Sequence, residues 1–495
     1  MTPEWRAEAS RWLWAALLVL LPVTSFRYIP LLGQGTFVRP LAIYPLALLL
    51  PLLLLRLALG EIKTAFPKAT ILPGLLLVVL ITSSVLGAID PPIPLGGTDY
   101  FDRSSRALLT VAIGYGFLLA AMWSNRSARD VLFSIKVLMV GLAISIVWAA
   151  VQFYGLNHGW RSALNEIQTS FSVRGLVKNK RVSGFAYEPS WLAGQLATIY
   201  IPWLFAAILH PVQLWGRKFV AHRHLPFLKT DMLVLVLFIG SLATLFFTYS
   251  RSGLLMGFAS IGITYLFTQG NAIRTGLAWF REGFGFQPGQ TARSITGLAL
   301  RLSLVVIILA AAVGAGLFLA DKGYIVAFVD TNAENLADYL QNAYLGPRAA
   351  YLQAALAAFS DDPLFGSGLG ASGFWIYQNI PDWALAGNPE ISRQMSPDGS
   401  IFPNPKNMIV RLLAETGIAG FSIYCVFIFY MLYLANKVRK STQQGDGTFW
   451  KWFGVSAFSS LISIAILGFS QDSLAMPELW LVPGILIGVY NSNKN

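Results

Sequence analysis

Charged side chains are scarce in this sequence. Aspartate, glutamate, lysine and arginine together make up 12% of the 495 residues, whereas a soluble domain carries roughly 25%. Hydrophobic residues make up 55%, and the mean hydropathy is +0.59. These proportions exclude an ordinary soluble enzyme and predict a protein with many membrane-spanning segments.

Residue types that bind metals or form disulfides are also rare. Cys425 is the only cysteine, which excludes a disulfide framework and a cysteine-based metal site. The four histidines are His158, His210, His222 and His224. Only His222 and His224 are close in sequence, and their basic loop favours solvated side chains over metal ligands. We therefore predict no metal and no cofactor.

The net charge of the chain is +12. In a soluble protein such a charge would suggest a nucleic-acid partner. In a membrane protein the excess of lysine and arginine in cytoplasmic segments explains it better. We therefore predict membrane lipid, and no nucleic acid, as a partner.

Apolar runs of about 20 residues predict transmembrane helices. The runs lie near residues 12–29, 40–59, 71–89, 107–123, 133–155, 189–209, 231–249, 253–269, 300–320, 408–436, 453–470 and 479–491. The fold predicted from them is all-α, a polytopic integral membrane protein with about 12 transmembrane helices.

The distribution of basic residues predicts the orientation of these spans. With both termini in the cytoplasm, most lysines and arginines fall on the inside, as the positive-inside rule requires. The chain then divides into 1–320, with nine spans and a basic outside loop at 156–188, a large outside loop at 321–406, and 407–495, with three spans. The sequence from Thr331 to Glu334 resembles a capping box, and residues 348–359 predict a helix in the large loop.

Basic residues gather at four places on the predicted outside face. They are Arg174, Lys178, Lys180, Arg181, Arg251, Arg348, Lys406 and Arg411. Snorkelling anchors and helix caps are one interpretation, and an ion pair between Arg411 and Glu415, one helical turn apart, is another. The functional interpretation is a site for a lipid diphosphate, because arginine binds phosphate oxygens in bidentate fashion. Four glycines at 366–373 indicate a close-packed turn rather than a phosphate loop, because no lysine follows.

Glu188 precedes the sixth predicted span and Pro189. An acidic residue at this place can be a helix cap. It can also be the general base that deprotonates an acceptor hydroxyl. The residues alone leave both roles open.

Four stretches of the chain resemble the bacterial O-antigen polymerase and O-antigen ligase superfamily. They are RVSGFAYEPSWLA at 181–193, TYSRSG at 248–253, RAAYLQAALAAFSDDPLFGSGLG at 348–370 and PKNMIVRLLAETGIAG at 405–420. The resemblance covers roughly residues 170 to 430. It implies a GT-C-like membrane glycosyltransferase with a large helical periplasmic loop, which acts without metal and with inversion at the anomeric carbon.

The resemblance also implies roles for individual residues. Arg251 and Arg348 fall on arginines that bind the diphosphate, and Glu188 is the candidate base, which gives the predicted catalytic set. Where ligases carry a His-Asn pair, this chain has Lys406 and Asn407. The predicted substrate-binding residues are Arg181, Tyr187, Lys406, Asn407 and Arg411.

The function implied is polymerisation of polyprenyl-diphosphate-linked oligosaccharide repeat units into O-antigen, capsule or exopolysaccharide at the periplasmic face of the inner membrane. The lipid-linked oligosaccharide is then both donor and acceptor, and a chain-length regulator is a further partner by family analogy. One alternative is a ligase that transfers the glycan to lipid A core or to protein. Another is a polysaccharide transporter or flippase, although the sequence shows no two similar halves.

Overall fold

The computed structural model describes residues 4–29, 38–62, 66–177, 180–212, 214–215, 231–282, 302–303, 306, 333–343, 345–385, 388–396, 402–441 and 447–492. Within these ranges the chain is helical, and β pairing is limited to three isolated bridges. The prediction of an all-α fold is therefore confirmed. The predicted boundary at residue 320 and most of the predicted span at 300–320 lie outside the described residues.

The helices of the first half are α1 (Glu4–Leu20), α2 (Ile43–Ala58), α3 (Ile71–Gly87), α4 (Tyr100–Ser124), α5 (Ala128–Asn157), α6 (Arg161–Phe171), α7 (Pro189–Gln195), α8 (Ile201–Leu209), α9 (Met232–Phe247) and α10 (Arg251–Glu282). A π-helical turn, Leu196–Tyr200, joins α7 to α8. The helices of the second half are α11 (Leu336–Asn342), α12 (Gly346–Asp361), α13 (Ser372–Asn379), α14 (Asp382–Leu385), α15 (Pro389–Gln394), α16 (Met408–Arg439), α17 (Gly447–Leu467) and α18 (Pro477–Ser492).

Six helical segments in the described ranges are long and apolar enough to cross a membrane. They are Lys68–Gly87, Tyr100–Ser124, Ala128–Asn157, Pro189–Leu209, Met408–Arg439 and Gly447–Leu467. Two shorter apolar helices, α2 and α9, coincide with further predicted spans. Helices α10 and α18 coincide with predicted spans as well, and α1 overlaps one in part. The chain is therefore a multi-pass membrane protein, and the total of twelve spans stays a prediction.

Helix α1 differs from its predicted bounds. It runs without interruption from Glu4 to Leu20, whereas the apolar run predicted a span at 12–29. The helix ends just before Pro22, because proline disfavours continuation of the helix at the residue before it, and a turn closed by the Val23 amide and the Leu20 carbonyl follows. Thr24 and Ser25 then contact the segment that leads to α7: the Thr24 hydroxyl accepts the Tyr187 amide, and the Ser25 carbonyl accepts the Val173 amide.

Helix α16 is broken at Gly417, whose backbone is left-handed (φ 60°, ψ −164°). The glycine-rich turn at 363–368 lies against this break and replaces the missing hydrogen bonds. The amides of Ser367 and Gly368 donate to the carbonyls of Ala414 and Glu415, at 2.9 and 3.0 Å. A Cβ at Gly366 would overlap the backbone at this break. The prediction of a close-packed turn rather than a phosphate loop is thus confirmed, and the turn lies against the break in α16.

Helices α12 to α15 form a small layer over one end of the bundle, with its own apolar core. The core consists of Ala350, Tyr351, Ala354, Ala355, Ala358, Ile376, Ala384 and Ile391, packed on Val410 and Ala414 of α16. The predicted helix at 348–359 is present and begins two residues earlier, with Pro347 in its first turn. The predicted capping box is wrong as the start of α11, because Asn335 is the N-cap and its side chain accepts the Asp338 amide at 2.9 Å. Thr331 itself lies outside the described residues.

Candidate active site

A cavity of about 870 Å³ lies between this layer and the bundle. Its wall consists of Val173, Arg174, Tyr187, Glu188, Ser190, Trp191, Ser252, Pro347, Arg348, Glu390, Arg393, Gln394, Asn404, Lys406, Ser470, Gln471, Asp472, Ser473 and Met476. Five regions of the chain therefore meet here: the segment that leads into α7, the start of α10, α12 with α15, the residues before α16, and the loop between α17 and α18. A volume of this size is in the range of substrate sites, roughly 300–1,000 Å³.

Glu188 lies on the cavity wall at the start of α7. Its carboxylate accepts a hydrogen bond from Arg174 at 2.8 Å and another from the hydroxyl of Ser190. The Arg174 guanidinium also lies over the Tyr187 ring, 4.9 Å from its centroid. Burial raises the pKa of the Tyr187 hydroxyl, while the Arg174 charge opposes this rise. Tyr187 in turn packs on Trp191, with ring centroids 4.9 Å apart.

The segment that carries these residues is held from below by one buried side chain. The Oε1 atom of Gln152 accepts the amides of Ser183 and Gly184, at 3.2 and 2.8 Å. The Nε2 atom of Gln152 donates to the Gly184 carbonyl and to Gln168 of α6. An amide side chain with both ends satisfied fixes the loop in one register. The Tyr187 amide is fixed as well, by the Thr24 hydroxyl at 2.9 Å.

Two more cations line the opposite wall. The Arg348 guanidinium donates to the Ser470 carbonyl at 3.1 Å. The Lys406 ammonium contacts the Glu390 carboxylate and lies 4.8 Å from the centroid of the Tyr351 ring. The backbone of Lys406 is left-handed (φ 52°), which is unusual for a residue with a side chain. The Lys406 amide donates to the Asp472 carboxylate at 3.0 Å, and this bond holds the turn.

Arg393 is the fourth cation on the wall, in the last turn of α15. Its side chain is exposed, and among the described residues it has no carboxylate partner. The wall therefore presents four basic side chains, Arg174, Arg348, Arg393 and Lys406, and three carboxylates. Two of the cations are engaged in ion pairs, with Glu188 and Glu390.

Arg251 is the first residue of α10, directly before Ser252 of the cavity wall. Only three residues separate α9 from α10, and Tyr249 among them is left-handed (φ 47°). Two residues after Arg251, Gly253 lies so close to α7 that a Cβ there would overlap the Cβ of Ala193. Glycine at this place therefore lets the start of α10 reach the same wall as α7.

Three of the predicted substrate-binding residues do not line the cavity and have structural contacts instead. Arg181 donates from Nε to the carbonyl of Thr248 at 2.9 Å and thereby fixes the end of α9. Asn407 is the N-cap of α16 and accepts the amides of residues 409 and 410. Arg411 pairs with Glu415 at 2.9 Å, as the spacing predicted, and donates to the carbonyl of Asp472 at 2.7 Å.

The structure thus brings four of the predicted residues to one cavity: Tyr187, Glu188, Arg348 and Lys406. Arg181, Arg251, Asn407 and Arg411 are not among its lining residues. Lys178 lies outside the described residues, and Lys180 bonds to the Asn157 side chain. The catalytic and binding roles of the whole set stay predictions.

Several lining residues have no counterpart in the sequence-based set: Arg393, Glu390, Trp191 and Asp472. A signal for Asp472 was present, because it is the only charge in a short polar stretch between two apolar runs. Arg251 is predicted by the same criterion, as a charge between two apolar runs. Glu390 and Arg393 lie three residues apart after Pro389, a spacing that predicts a short helix with both on one side.

The chemistry available at the cavity is anion binding next to carboxylates. Groups of histidine, cysteine and acidic residues with the geometry of a metal site are absent from the described part of the chain. The cations supply the positive charge that a phosphate ligand requires, and arginine adds a forked geometry that suits phosphate oxygens. The Tyr187 and Trp191 rings add an aromatic surface beside them.

One comparison with known protein families gives a match for part of the chain. Residues 235–425 match the family model described as O-antigen ligase. The match covers less than half of the chain and is consistent with the resemblance to the O-antigen polymerase and ligase superfamily. The matched range extends from α9 through α12 to α15 and into α16. It includes five residues of the cavity wall: Ser252, Arg348, Glu390, Arg393 and Lys406. No curated protein sequence matches the chain. The match supports a membrane enzyme of the O-antigen ligase or polymerase type.

Proposed function

We propose that the chain is a repeat-unit polymerase, a glycosyltransferase that joins polyprenyl-diphosphate-linked oligosaccharides. The observation that carries the proposal is the group of four cations on one cavity wall, next to three carboxylates and a pair of aromatic rings. A diphosphate carries the charge that these cations match. The reaction needs cations where negative charge develops on the leaving diphosphate.

The ion pairs at the wall are of a kind that a diphosphate can displace. The side chains of Arg174 and Glu188 are 40% and 31% exposed, and those of Lys406 and Glu390 are 26% and 47% exposed. Ion pairs with such exposure contribute only about 0–1 kcal/mol each. Exchange of a carboxylate for phosphate oxygens therefore costs little, and Arg393 is available without any exchange.

The aromatic pair supports a glycan substrate. Tyr187 and Trp191 lie at an angle of 39° to each other, next to the cations. Large rigid rings offer contact area at a low cost in side-chain entropy, which suits the apolar face of a sugar ring. We assign them to the sugar nearest the diphosphate.

The predicted roles of Glu188, Arg251 and Arg348 enter the proposal with different support. Arg348 contacts the cavity directly, and its bond to a single backbone carbonyl leaves further donors for phosphate. Arg251 is adjacent to Ser252 of the wall, so its contribution requires a side-chain movement when substrate binds. Glu188 is a candidate base whose carboxylate must first be released from Arg174.

The charge distribution supports a cavity at the periplasmic face of the bacterial inner membrane. Helix α1 starts at the end of the bundle opposite to the cavity, where Arg6 and Arg56 bind Glu61. Arg439 and Lys451 lie at this same opposite end. Burial lowers the pKa of His210, and the nearby charges of Lys451 and Arg439 lower it as well. By the positive-inside rule this end is cytoplasmic.

Polymerase is favoured over ligase by the residue before Asn407. Lys406 at this position contacts Glu390 of α15 and Tyr351 of α12. It adds a cation where the resemblance places a catalytic histidine in ligases. The additional positive charge of Lys406 suits a cavity that holds two lipid-linked substrates. A chain-length regulator remains a proposed partner on family analogy alone.

The test is reconstitution of the purified protein in liposomes with lipid-linked repeat units extracted from cells that make the polymer. We expect a ladder of lipid-linked products, which Arg348→Ala and Lys406→Ala abolish. Arg106→Ala is the matched control, because Arg106 pairs with Asp102 on α4 and is not among the lining residues. Glycan found on lipid A core or on protein would indicate the ligase instead. Movement of intact substrate without a new glycosidic bond would indicate a transporter.

A further inference from the structure

The three carboxylates of the cavity wall differ in what neutralises them. Glu188 is paired with Arg174, and Glu390 is paired with Lys406. Asp472 has no cationic side chain within ion-pair distance among the described residues. Its Oδ2 atom accepts the backbone amide of Lys406 at 3.0 Å. A carboxylate that is not held by a cation keeps its ability to accept a proton from a substrate.

The loop that carries Asp472 is fixed by hydrogen bonds to its backbone carbonyls. The Asp472 carbonyl accepts Arg411 at 2.7 Å, and the Ser470 carbonyl accepts Arg348 at 3.1 Å. The amide of Met408 donates to the Gly468 carbonyl at 2.6 Å. The Arg348 guanidinium therefore contacts the backbone two residues from Asp472. A cation for the leaving group and a carboxylate for the attacking group are thus held by one short loop.

The surroundings of Asp472 also favour proton uptake. Burial raises the pKa of the Asp472 carboxyl, and the Glu415 charge raises it as well. The Arg411 charge and the hydrogen bond from the Lys406 amide lower it, and the net result is a raised pKa. A carboxylate with a pKa closer to neutral is the better general base, because it removes a proton more readily.

We propose that Asp472 is the general base of the transfer, and this assignment rests on the proposed function. The Asp472 carboxylate takes the proton from the acceptor hydroxyl as its oxygen bonds to the anomeric carbon of the donor. The bond from that carbon to the diphosphate oxygen breaks at the same time. Its electron pair leaves with the diphosphate, which the wall cations hold. Attack from the side opposite to the diphosphate inverts the anomeric carbon.

Glu188 takes a positioning role in this arrangement. Its carboxylate is engaged by Arg174 and Ser190, and it holds the Arg174 guanidinium over Tyr187. Loss of the Glu188 charge changes the place of a phosphate-binding cation, whereas loss of the Asp472 charge removes the proton acceptor. The two variants therefore affect different kinetic constants.

The experiment compares Asp472→Asn and Glu188→Gln with the control Asp102→Asn in the reconstituted liposomes. Each change replaces one carboxylate by its amide of equal size, and Asp102 lies on α4, not among the lining residues. For Asp472→Asn we expect the rate under single-turnover conditions to fall by about 10² to 10⁴-fold, with binding of the lipid-linked donor within about twofold of wild type. Asp102→Asn should retain the rate, and Glu188→Gln should weaken donor binding.

The acid side of the pH profile separates a base from a structural residue. In the wild type the transfer rate should fall as the pH drops through the raised pKa of Asp472, because the protonated carboxyl cannot accept a proton. Asp472→Glu should retain activity and shift this acid limb, which a structural role would leave in place. This measurement decides the question even if Asp472→Asn does not fold.

The outcomes are distinct. A wild-type rate in Asp472→Asn, or an acid limb that Asp472→Glu leaves unchanged, overturns the assignment while the polymerase stands. A base-type loss in Glu188→Gln with full activity in Asp472→Asn transfers the role to Glu188. Absence of any new glycosidic bond with the wild-type protein refutes the proposed function, and the assignment of Asp472 falls with it.

Discussion

The ion pair between Arg411 and Glu415 lies beneath the cavity and invites a quantitative test. The Glu415 side chain is 2% exposed and that of Arg411 is 16% exposed. The second carboxylate oxygen of Glu415 accepts the Ser372 hydroxyl at 2.6 Å. Arg411→Ala leaves this buried carboxylate with the hydroxyl alone and releases the carbonyl of Asp472. Removal of one partner of a buried pair costs about 3–5 kcal/mol, and we expect a loss of this size in the free energy of unfolding.

A double-mutant cycle measures the contribution of the pair itself. Glu415→Ala should also destabilise the protein, because it leaves a buried guanidinium unpaired. The double variant lacks both charges, so its loss should be smaller than the sum of the single losses by about 1–3 kcal/mol. The measurement is denaturant unfolding in detergent, with the folded fraction followed by size-exclusion chromatography. Arg106→Ala is the control, because its pair with Asp102 is exposed and should contribute little.

The result bears on the role that the sequence predicted for Arg411. A substrate-binding arginine would leave stability unchanged when it is replaced and would weaken donor binding instead. Wild-type stability of Arg411→Ala, together with a raised dissociation constant for the lipid-linked donor, would refute the structural interpretation. Additive losses in the cycle would show that the two side chains do not act as a pair.

Three further predictions concern the cavity. Gly253→Val should place a side chain into Ala193 of α7 and push α10 outward, at a cost of about 1–3 kcal/mol, and the loss should appear as lower thermal stability and lower transfer rate together. Trp191→Ala should raise the KM for the glycan more than it lowers kcat, because it removes sugar contact without removing charge; an unchanged KM would contradict this. Dialysis against EDTA should leave transfer by the wild-type protein unchanged, and a rate restored only by a divalent cation would exclude a metal-independent mechanism.

The helical part of the fold could be predicted from the sequence because hydrophobic length alone determines a membrane span. The contacts that position the site could not. The break of α16 at Gly417 lies inside an apolar run that predicts one continuous helix. Its missing hydrogen bonds are supplied by the turn at 363–368, which is some fifty residues earlier in the chain. A local pattern cannot reveal a partner at that distance, although the glycines predicted the close packing.

The candidate site could likewise be predicted only in part from the sequence. Glu188, Arg348 and Lys406 were predicted because their charges stood out from apolar surroundings, and Tyr187 was predicted from the resemblance; all four line the cavity. Asp472 was not predicted, because it lies in a short loop late in the chain, outside the stretches that resemble the superfamily. Which carboxylate lies beside which cation depends on the packing of α12, α15 and the loop after α17, and these contacts are long-range.

Burial separates the cations near the cavity into two kinds. Arg411 is paired with a fully buried carboxylate and fixed to the backbone of residue 472, so release of its guanidinium would leave a charge unpaired inside the protein. Arg174 and Lys406 are paired with carboxylates that are themselves in contact with solvent, so an exchange of partners leaves each carboxylate hydrated. Only the second kind can be recruited by an incoming diphosphate. In the proposed reaction the buried pair keeps the Asp472 loop in place while the exposed pairs open, as a transferase with a charged leaving group requires.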